Sequence, residues 1–273
     1  MKKIGILFLG LISAFSFSQN TRFVYQVSMK TDSTAAPKIE NAYLDISTEK
    51  SIFYGEKRMK RDSTIRQAME TRNFNFDRNS MEQFRTAITY SIEKNHATKT
   101  ISYKDRIARD QYWYDEDRTF NWKILPETVK IGEYETQKAE TTVAGRKWFA
   151  WFTQDLPFID GPYKFSGLPG LIVKVEDEKG DYSFDLKETK KIAELPNFES
   201  RFGNNIKVKR SEFLKQQEKF NKDPMSFFQN QGGGFAMRMG GNQNPQNEAE
   251  RRKMMEERLK EEAKANNNPL EKN

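Results

Sequence analysis

The sequence predicts a mainly β protein: an antiparallel curved sheet or half-barrel with short helical additions and a C-terminal charged helix. Three observations support this class. Short segments that alternate apolar and polar residues recur from Thr21 to about Ile192, turn residues separate them, and helix-period patterns are scarce between those limits. Such spacing is typical of antiparallel meanders, which can close or half-close around an apolar interior.

The strand pattern is clearest in a series of short segments. They cover residues 23–27, 43–46, 52–54, 87–92, 99–103, 120–125, 136–143, 147–153, 172–175 and 181–186. Residues 62–72 are ambiguous and compatible with a helical insertion. A helix is predicted over 211–221, with Ser211 as its N-cap and Asp223-Pro224 as its end.

The N-terminus has the features of a secretion signal. Lys2 and Lys3 precede an apolar run over residues 4–15, and Ser16 and Ser18 place small residues where a signal peptidase reads. We therefore expect a signal peptide over residues 1–18 and a mature chain in the periplasm, or secreted to the cell envelope. An uncleaved N-terminal anchor is the alternative, and no integral membrane span is expected after cleavage.

Composition divides the remainder into three parts. Residues 19–228 form the predicted β-rich domain, residues 229–247 a Gly/Gln/Asn-rich flexible linker, and residues 248–273 a charged helix with a disordered tail. The charged helix has a single narrow apolar stripe, so a solvated helix is favoured over one that docks on a partner. The Asn-rich end at 266–269 is expected to be disordered.

Composition also restricts the chemistry. The chain has no cysteine, which excludes disulfides, a cysteine nucleophile and a lipid-anchored N-terminal cysteine. It has one histidine, His96, so a zinc site built from several histidines is excluded. We expect His96 to be an ordinary surface residue. The formal charge of +7 becomes +5 without Lys2 and Lys3, and the charges are interspersed. We expect no nucleic-acid partner, no cofactor, no metal site and no catalytic residue that the sequence can assign.

The most distinctive region lies between Trp148 and Glu176. If residues 148–153 alternate as a strand, both of its faces carry aromatic side chains, as in a strand that is covered on both sides or borders a cavity. A pocket for an apolar ligand and simple core packing both explain this pattern. The glycines of the following Gly167–Ile172 corner suggest a tight turn into a strand. If φ is positive at Gly170, a Gly170→Val change costs about 1–3 kcal/mol.

The run Gly161-Pro162-Tyr163-Lys164-Phe165-Ser166-Gly167-Leu168-Pro169-Gly170-Leu171-Ile172 resembles the GLPGLI family. The Trp-rich strand, the turn at 153–157 and the secretion signal are also similar to that family, and by strand layout the resemblance extends over residues 20–228. It implies an exported protein of a Gram-negative envelope, of a kind often encoded near TonB-dependent outer-membrane receptors. The family's activity is not established, so the resemblance implies no catalytic residues.

These features predict a non-enzymatic periplasmic binding or accessory protein. It would hold an apolar or peptide ligand, or a partner such as an outer-membrane receptor or another envelope protein, on the concave sheet face. The candidate binding residues are Trp148, Trp151, Phe165, Gly167, Leu168, Pro169 and Gly170. One alternative is a carboxylate-based hydrolase that uses Asp155 and Asp160, and a purely structural envelope component is another.

Overall fold

The structure, a computed structural model, describes residues 20–73, 83–198, 203–229 and 245–272. The predicted signal peptide and most of the predicted linker lie outside the described residues. Within the described ranges, no helix combines the length and the apolar character needed to cross a bilayer.

In the described residues, twelve strands form one open sheet, and the predicted mainly β, antiparallel class is confirmed. The strands are β1 (Asn20–Met29), β2 (Lys38–Ile46), β3 (Lys50–Gly55), β4 (Ser91–Asn95), β5 (Ile101–Ile107), β6 (Asp110–Asp115), β7 (Lys123–Ile131), β8 (Tyr134–Val143), β9 (Arg146–Thr153), β10 (Leu171–Asp177), β11 (Tyr182–Ile192) and β12 (Asn205–Lys207). The helices are α1 (Glu56–Thr71), α2 (Arg210–Lys222), α3 (Pro224–Gln229) and α4 (Pro245–Lys264).

The sheet consists of two antiparallel meanders, and the first strand of one pairs with the last strand of the other. Its order is β12-β6-β5-β4-β3-β2-β1-β11-β10-β9-β8-β7. The β1–β11 pairing joins the meander β1 to β6 to the meander β7 to β11, with a register shift between Val24 and Tyr25. Only β12 pairs in parallel, with β6, among the described strands.

Several local expectations need correction. The sequence patterns missed β6 and β12, and they placed residues 87–90 in a strand that starts at Ser91. Ser211 is not the N-cap of α2, because Lys209 holds that position without a side-chain capping bond. Helix α4 contacts α2 and α3, although Met254 and Met255 stay exposed.

The connection between β6 and β7 shows that the sheet is strongly curved. These strands are ten inter-strand steps apart in the sheet order, which corresponds to about 48 Å along the sheet. Only residues 116–122 connect them, and a chain of that length reaches at most about 29 Å. The sheet therefore bends into a half-barrel, and this connection crosses its open side, where Trp122 Nε1 donates to Ser166 O at 2.9 Å.

The concave face is filled by the chain itself. Residues 154–170, here called the interior segment, run between β9 and β10 across the inside of the half-barrel. Phe165 packs against Trp148 of β9, with ring centroids 4.9 Å apart, and against Phe184 of β11 at 6.1 Å. Phe158 packs edge-on against Phe23 of β1 at 5.3 Å. Trp148 and Phe165 of the distinctive region thus belong to the main core, and Phe158 packs against it.

The two ends of the half-barrel are closed differently. The β2–β3 and β4–β5 turns lie at one end, which we call the pocket end. The β1–β2, β8–β9 and β10–β11 turns lie at the other, the tail end, because successive turns of a meander alternate between its ends. Residues 266–272, here called the tail segment, dock at the tail end. The backbone N–H of Asn268 donates to Thr31 O at 2.8 Å, and that of Lys272 donates to Ala144 O at 2.7 Å. The expectation of a disordered end is therefore wrong for the tail segment, whose polar side chains find partners far away in sequence.

The glycine corner connects the interior segment to β10. Gly167 and Gly170 have φ of +93° and +141°, so the condition set above for a cost at Gly170, a positive φ, is met. A Cβ on Gly170 would overlap Thr153 O, whereas a Cβ on Gly167 would have nothing within 4 Å. Both glycines are required for conformation, and only Gly170 is also required for space.

These two glycines form a matched pair for a stability measurement. We expect Gly167→Ala to lower the free energy of unfolding by about 1–3 kcal/mol through backbone strain alone. Gly170→Ala should cost about 2–6 kcal/mol, because overlap with the β9 backbone adds to the strain. Urea denaturation of both variants measures the difference. Equal losses, or a smaller loss at Gly170, would show that the close approach to Thr153 is not maintained.

Candidate functional site

A pocket of about 740 Å³ opens at the pocket end. Its walls come from the β2–β3 turn, the β4–β5 turn and the interior segment. The lining residues are Ile46, Ser47, Thr48, Lys94, Asn95, His96, Lys99, Thr100, Ile101, Pro157, Phe158, Ile159, Asp160, Ser166 and Gly167.

Side-chain hydrogen bonds hold the two turns that form the rim. Ser47 Oγ donates to Lys50 O at 2.8 Å, which fixes the β2–β3 turn. Asn95 Oδ1 accepts the backbone N–H groups of Ala97 and Thr98 at 3.0 and 2.9 Å, which fixes the β4–β5 turn. Both are local bonds of the kind that Ser and Asn form in turns. The two turns of the rim are therefore stabilised by residues close to one another in the chain.

A buried ion pair forms the floor of the pocket. Lys94 and Asp160 are 5% and 4% exposed. Lys94 Nζ donates to Asp160 Oδ1 at 2.5 Å, Gly161 O at 2.5 Å and Phe165 O at 3.1 Å. An ammonium group has three hydrogens, so all of its donors are used. The pair fastens the interior segment to β4.

The protonation states of this pair follow from burial and mutual attraction. Burial lowers the pKa of the Lys94 ammonium, and the Asp160 charge opposes that effect. Burial would raise the pKa of Asp160, but the charge of Lys94 and hydrogen bonding with His96 and Lys94 lower it below its ordinary value. Asp160 is therefore a carboxylate that already accepts bonds from its neighbours, and it has no proton to donate as a general acid.

His96 lies on the pocket wall beside the pair. Its Nδ1 is 3.3 Å from Thr48 O, and its Nε2 is 3.8 Å from Asp160 Oδ2. Interaction with the Asp160 carboxylate raises the pKa of His96, while partial burial opposes the rise. His96 is exposed as expected. The expectation of an ordinary surface residue is wrong, because its imidazole and the Lys94 ammonium both face the Asp160 carboxylate.

The structure does not bring Asp155 and Asp160 together at this pocket. Asp155 is exposed and lies outside the lining, and its backbone N–H donates to Thr153 Oγ1 at 3.2 Å. Asp160 is buried, and its Oδ1 accepts hydrogen bonds from Lys94 Nζ and the Gly161 N–H. Within the described residues, no group of three or more His, Asp and Glu side chains is arranged to hold a metal ion.

The seven predicted binding residues are distributed over different surfaces. Trp148, Phe165, Leu168 and Gly170 are buried in the interior, and Pro169 is exposed. Of the seven, Gly167 lines the pocket.

Trp148 and Trp151 lie on opposite faces of β9, since successive residues of a strand point to opposite faces and these two are three residues apart. Trp151 is half-buried on the outer face, where the ammonium groups of Lys138 and Lys174 lie 5.7 and 5.0 Å from its ring. The two tryptophans therefore cannot line a common cavity, and the outer aromatic face is covered by lysine side chains rather than by another layer.

Sequence reasoning missed Lys94, which organises the site. A signal was present: residues two apart on a strand share a face, so Lys94 follows the buried Ile92 into the interior. A lysine in that register is unusual and suggests a buried partner.

Comparison with known proteins places this chain near a family of unknown function. The family model described as "Protein of unknown function (Porph_ging)" matches residues 140–174, which cover β9 and the glycine corner. This is a small part of the chain, and the resemblance to the GLPGLI family stays a prediction. No curated protein matches.

The solved structures of PNGF-II show a likeness of fold. Two structures of PNGF-II, in space groups P21 and C2, match with 19% and 18% identity and a TM-score of 0.51, over 72% of this chain. The chain spans about a third of the length of the PNGF-II chains, 33% and 32%. A LolA superfamily protein, NE2245 from Nitrosomonas europaea, matches with 10% identity and a TM-score of 0.27, over 66% of this chain and 88% of that one. At these identities the PNGF-II likeness concerns the fold alone.

Titration of His96 tests the geometry of the pocket. Because the chain has a single histidine, one imidazole resonance in an NMR titration reports it without ambiguity. We expect a pKa above the ordinary value of about 6.5, and a lower pKa in Asp160→Asn. The raised pKa means that His96 contributes stability that is fully present below about pH 6.5 and is lost as pH rises through its folded-state pKa.

Asp155→Asn is the matched control, since it removes a carboxylate of the same interior segment that lies outside the pocket lining. It should leave the titration of His96 unchanged. A wild-type pKa at or below 6.5, or equal effects of the two Asp→Asn changes, would contradict the arrangement.

Proposed function

We propose that this protein is a non-enzymatic binding protein of the cell envelope, and that its ligand occupies the pocket at the pocket end. The observation that supports this is a cavity of about 740 Å³, which is within the usual range for small-molecule sites. Its lining combines apolar side chains such as Ile46, Ile101 and Phe158 with polar and charged groups from both turns and the interior segment, and small-molecule sites likewise combine apolar surface with polar groups that orient the ligand.

The proposed ligand does not lie on the concave sheet face, where the sequence analysis expected it. The interior segment covers that face with Phe158, Phe165 and Leu168, and the last two are 1% exposed. A ligand there would have to displace packed aromatic rings and the Lys94–Asp160 pair. The pocket at the end of the half-barrel needs no such rearrangement.

The lining indicates the chemical class of the ligand. Ile46, Ile101 and Phe158 offer apolar surface, and His96 and Lys99 offer positive charge or hydrogen-bond donors at the rim. Lys94 adds no net charge, because Asp160 neutralises it. The lining fits an amphipathic acid: an apolar chain that ends in a carboxylate, with the carboxylate near His96 and Lys99.

The resemblance to exported envelope proteins supports an envelope location, where such amphiphiles are abundant. An accessory role beside an outer-membrane receptor is compatible with this proposal. A purely structural envelope component is the second candidate, and it gains support if the pocket takes no ligand.

Two tryptophan substitutions in the β4–β5 turn test the proposal. Thr98 and Thr100 are both exposed on this turn, and Thr100 lines the pocket whereas Thr98 does not. Thr100→Trp should weaken binding of a dansyl-labelled fatty acid about tenfold or more by filling the cavity. Thr98→Trp should leave affinity within about twofold, because its indole lies outside the lining.

Fluorescence titration measures the affinities, and thermal unfolding confirms that both variants fold. The proposal fails if the wild-type protein does not bind the probe, or if the two tryptophan variants weaken binding equally.

A further inference from the structure

The tail segment lies in a polar site built from buried side chains at the tail end. The central group is Arg146, which is 4% exposed. Its Nη2 donates to Asn268 Oδ1 at 2.6 Å and to Pro269 O at 2.8 Å. Its Nη1 donates to Asp177 Oδ2 at 2.7 Å, so the guanidinium is held from the opposite side. The guanidinium is thus held in position to bind one side chain and one carbonyl of the tail segment.

Asn268 is bound through both its side chain and its backbone. Its Nδ2 donates to Lys30 O at 2.7 Å, its backbone N–H donates to Thr31 O at 2.8 Å, and its carbonyl accepts from Tyr182 Oη at 2.6 Å. The site therefore requires a side chain that accepts from Arg146 and donates to a carbonyl. An amide does both, whereas an aspartate cannot donate to Lys30 O.

Glu271 is bound three residues later by a second buried cluster. Its Oε1 accepts from Lys164 Nζ and Tyr163 Oη, both at 2.6 Å, and its Oε2 accepts from Arg118 Nη2 at 2.7 Å. Lys164 is fully buried. Burial opposes ionisation of Glu271, but the charges of Lys164 and Arg118 lower its pKa below the ordinary value. The cluster thus selects an ionised carboxylate.

Between these two anchors, Leu270 packs against the main core. The site therefore recognises four consecutive features: an amide, a carbonyl, an apolar side chain and a carboxylate. The polar anchors are directed hydrogen bonds from Arg146, Tyr182, Lys164 and Arg118, so the site fits an extended segment that supplies these groups in this order.

The tail is attached to this site without belonging to the sheet. Within the described part of the chain it contains no strand, and its backbone bonds to the turns are those at Thr31 and Ala144. If it left, Arg146, Tyr182 and Lys164 would each lose a partner while remaining among buried groups, which is costly. The site therefore favours any segment that supplies the same groups.

We propose that this is a peptide-recognition site for extended segments of the type Asn-Pro-Leu-Glu, and that the chain's own tail segment occupies it in cis. A partner protein that presents an asparagine followed three residues later by an acidic residue binds here in place of the tail. This inference concerns the end of the half-barrel opposite the pocket and does not rest on the proposed function.

Competition between tail and free peptide tests the proposal on the full chain. The probe is a fluorescein-labelled peptide with the sequence of residues 266–272, Asn-Asn-Asn-Pro-Leu-Glu-Lys. We expect it to bind the full-chain variant Asn268→Ala/Glu271→Gln, whose own tail is weakened, at least about tenfold more tightly than the wild-type chain, where the tethered tail competes at high effective concentration.

The peptide itself carries the matched control. A Glu271→Gln change in the peptide removes the charge that Lys164 and Arg118 bind, and it should weaken binding about tenfold or more. A Lys272→Gln change also alters one charge, but Lys272 meets the site through its backbone N–H to Ala144 O, so affinity should change less than about threefold.

A second measurement needs no substitution. In an isotope-labelled wild-type chain, excess unlabelled peptide should accelerate hydrogen exchange at the Asn268 and Lys272 amides by displacing the tail. The proposal is overturned if a folded double variant does not bind the peptide, if the two peptide variants bind equally, or if millimolar peptide leaves the exchange of both amides unchanged.

Discussion

The bond network of the Lys94 ammonium is the constraint on which the rest of this structure depends. A curved sheet of twelve strands leaves a concave face that must be covered, and the chain covers it with its own interior segment. Lys94 fastens that segment through one carboxylate and two carbonyls. Breaking a buried pair of this kind costs about 3–5 kcal/mol, because the remaining charge has no compensation.

Because the concave face is filled in this way, the pocket and the site that holds the tail segment lie at the two ends of the half-barrel. At the pocket end, the same Asp160 that anchors the interior segment also raises the pKa of His96, so the structural pair and the charge of the pocket wall are coupled. At the tail end, Arg146 and Lys164 hold an extended segment of the chain. One end has an open cavity with mixed polar and apolar walls, and the other has a polar site that holds the chain's own tail segment.

The sequence predicted strands well where a short apolar run is rich in aromatic or β-branched residues. Residues 147–153 and 172–175 are such runs, and the structure places β9 and β10 over them. The glycine corner was also predictable as a tight turn, because glycine is the residue that tolerates positive φ and a close backbone approach. Local preference decides these features, and local preference is what a single sequence contains.

The remaining features depend on contacts between distant residues. The β1–β11 pairing that joins the two meanders, and the curvature that follows from it, have no local signature. Lys94 and Asp160 are 66 residues apart, so neither side chain indicates its partner. The tail segment is rich in asparagine and looks disordered, but Asn268 is ordered by Arg146, 122 residues away.

Hydrogen exchange tests most directly whether the interior segment is a permanent part of the core. The Phe165 amide donates to Pro162 O at 3.1 Å, and the Ile172 amide donates to Asp160 O at 2.9 Å. If the segment is core, these two amides exchange as slowly as the amides of β1 and β2, because all of them require global unfolding. Exchange at Phe165 and Ile172 that is orders of magnitude faster than in β1 and β2 would show a segment that opens locally, and would contradict this account.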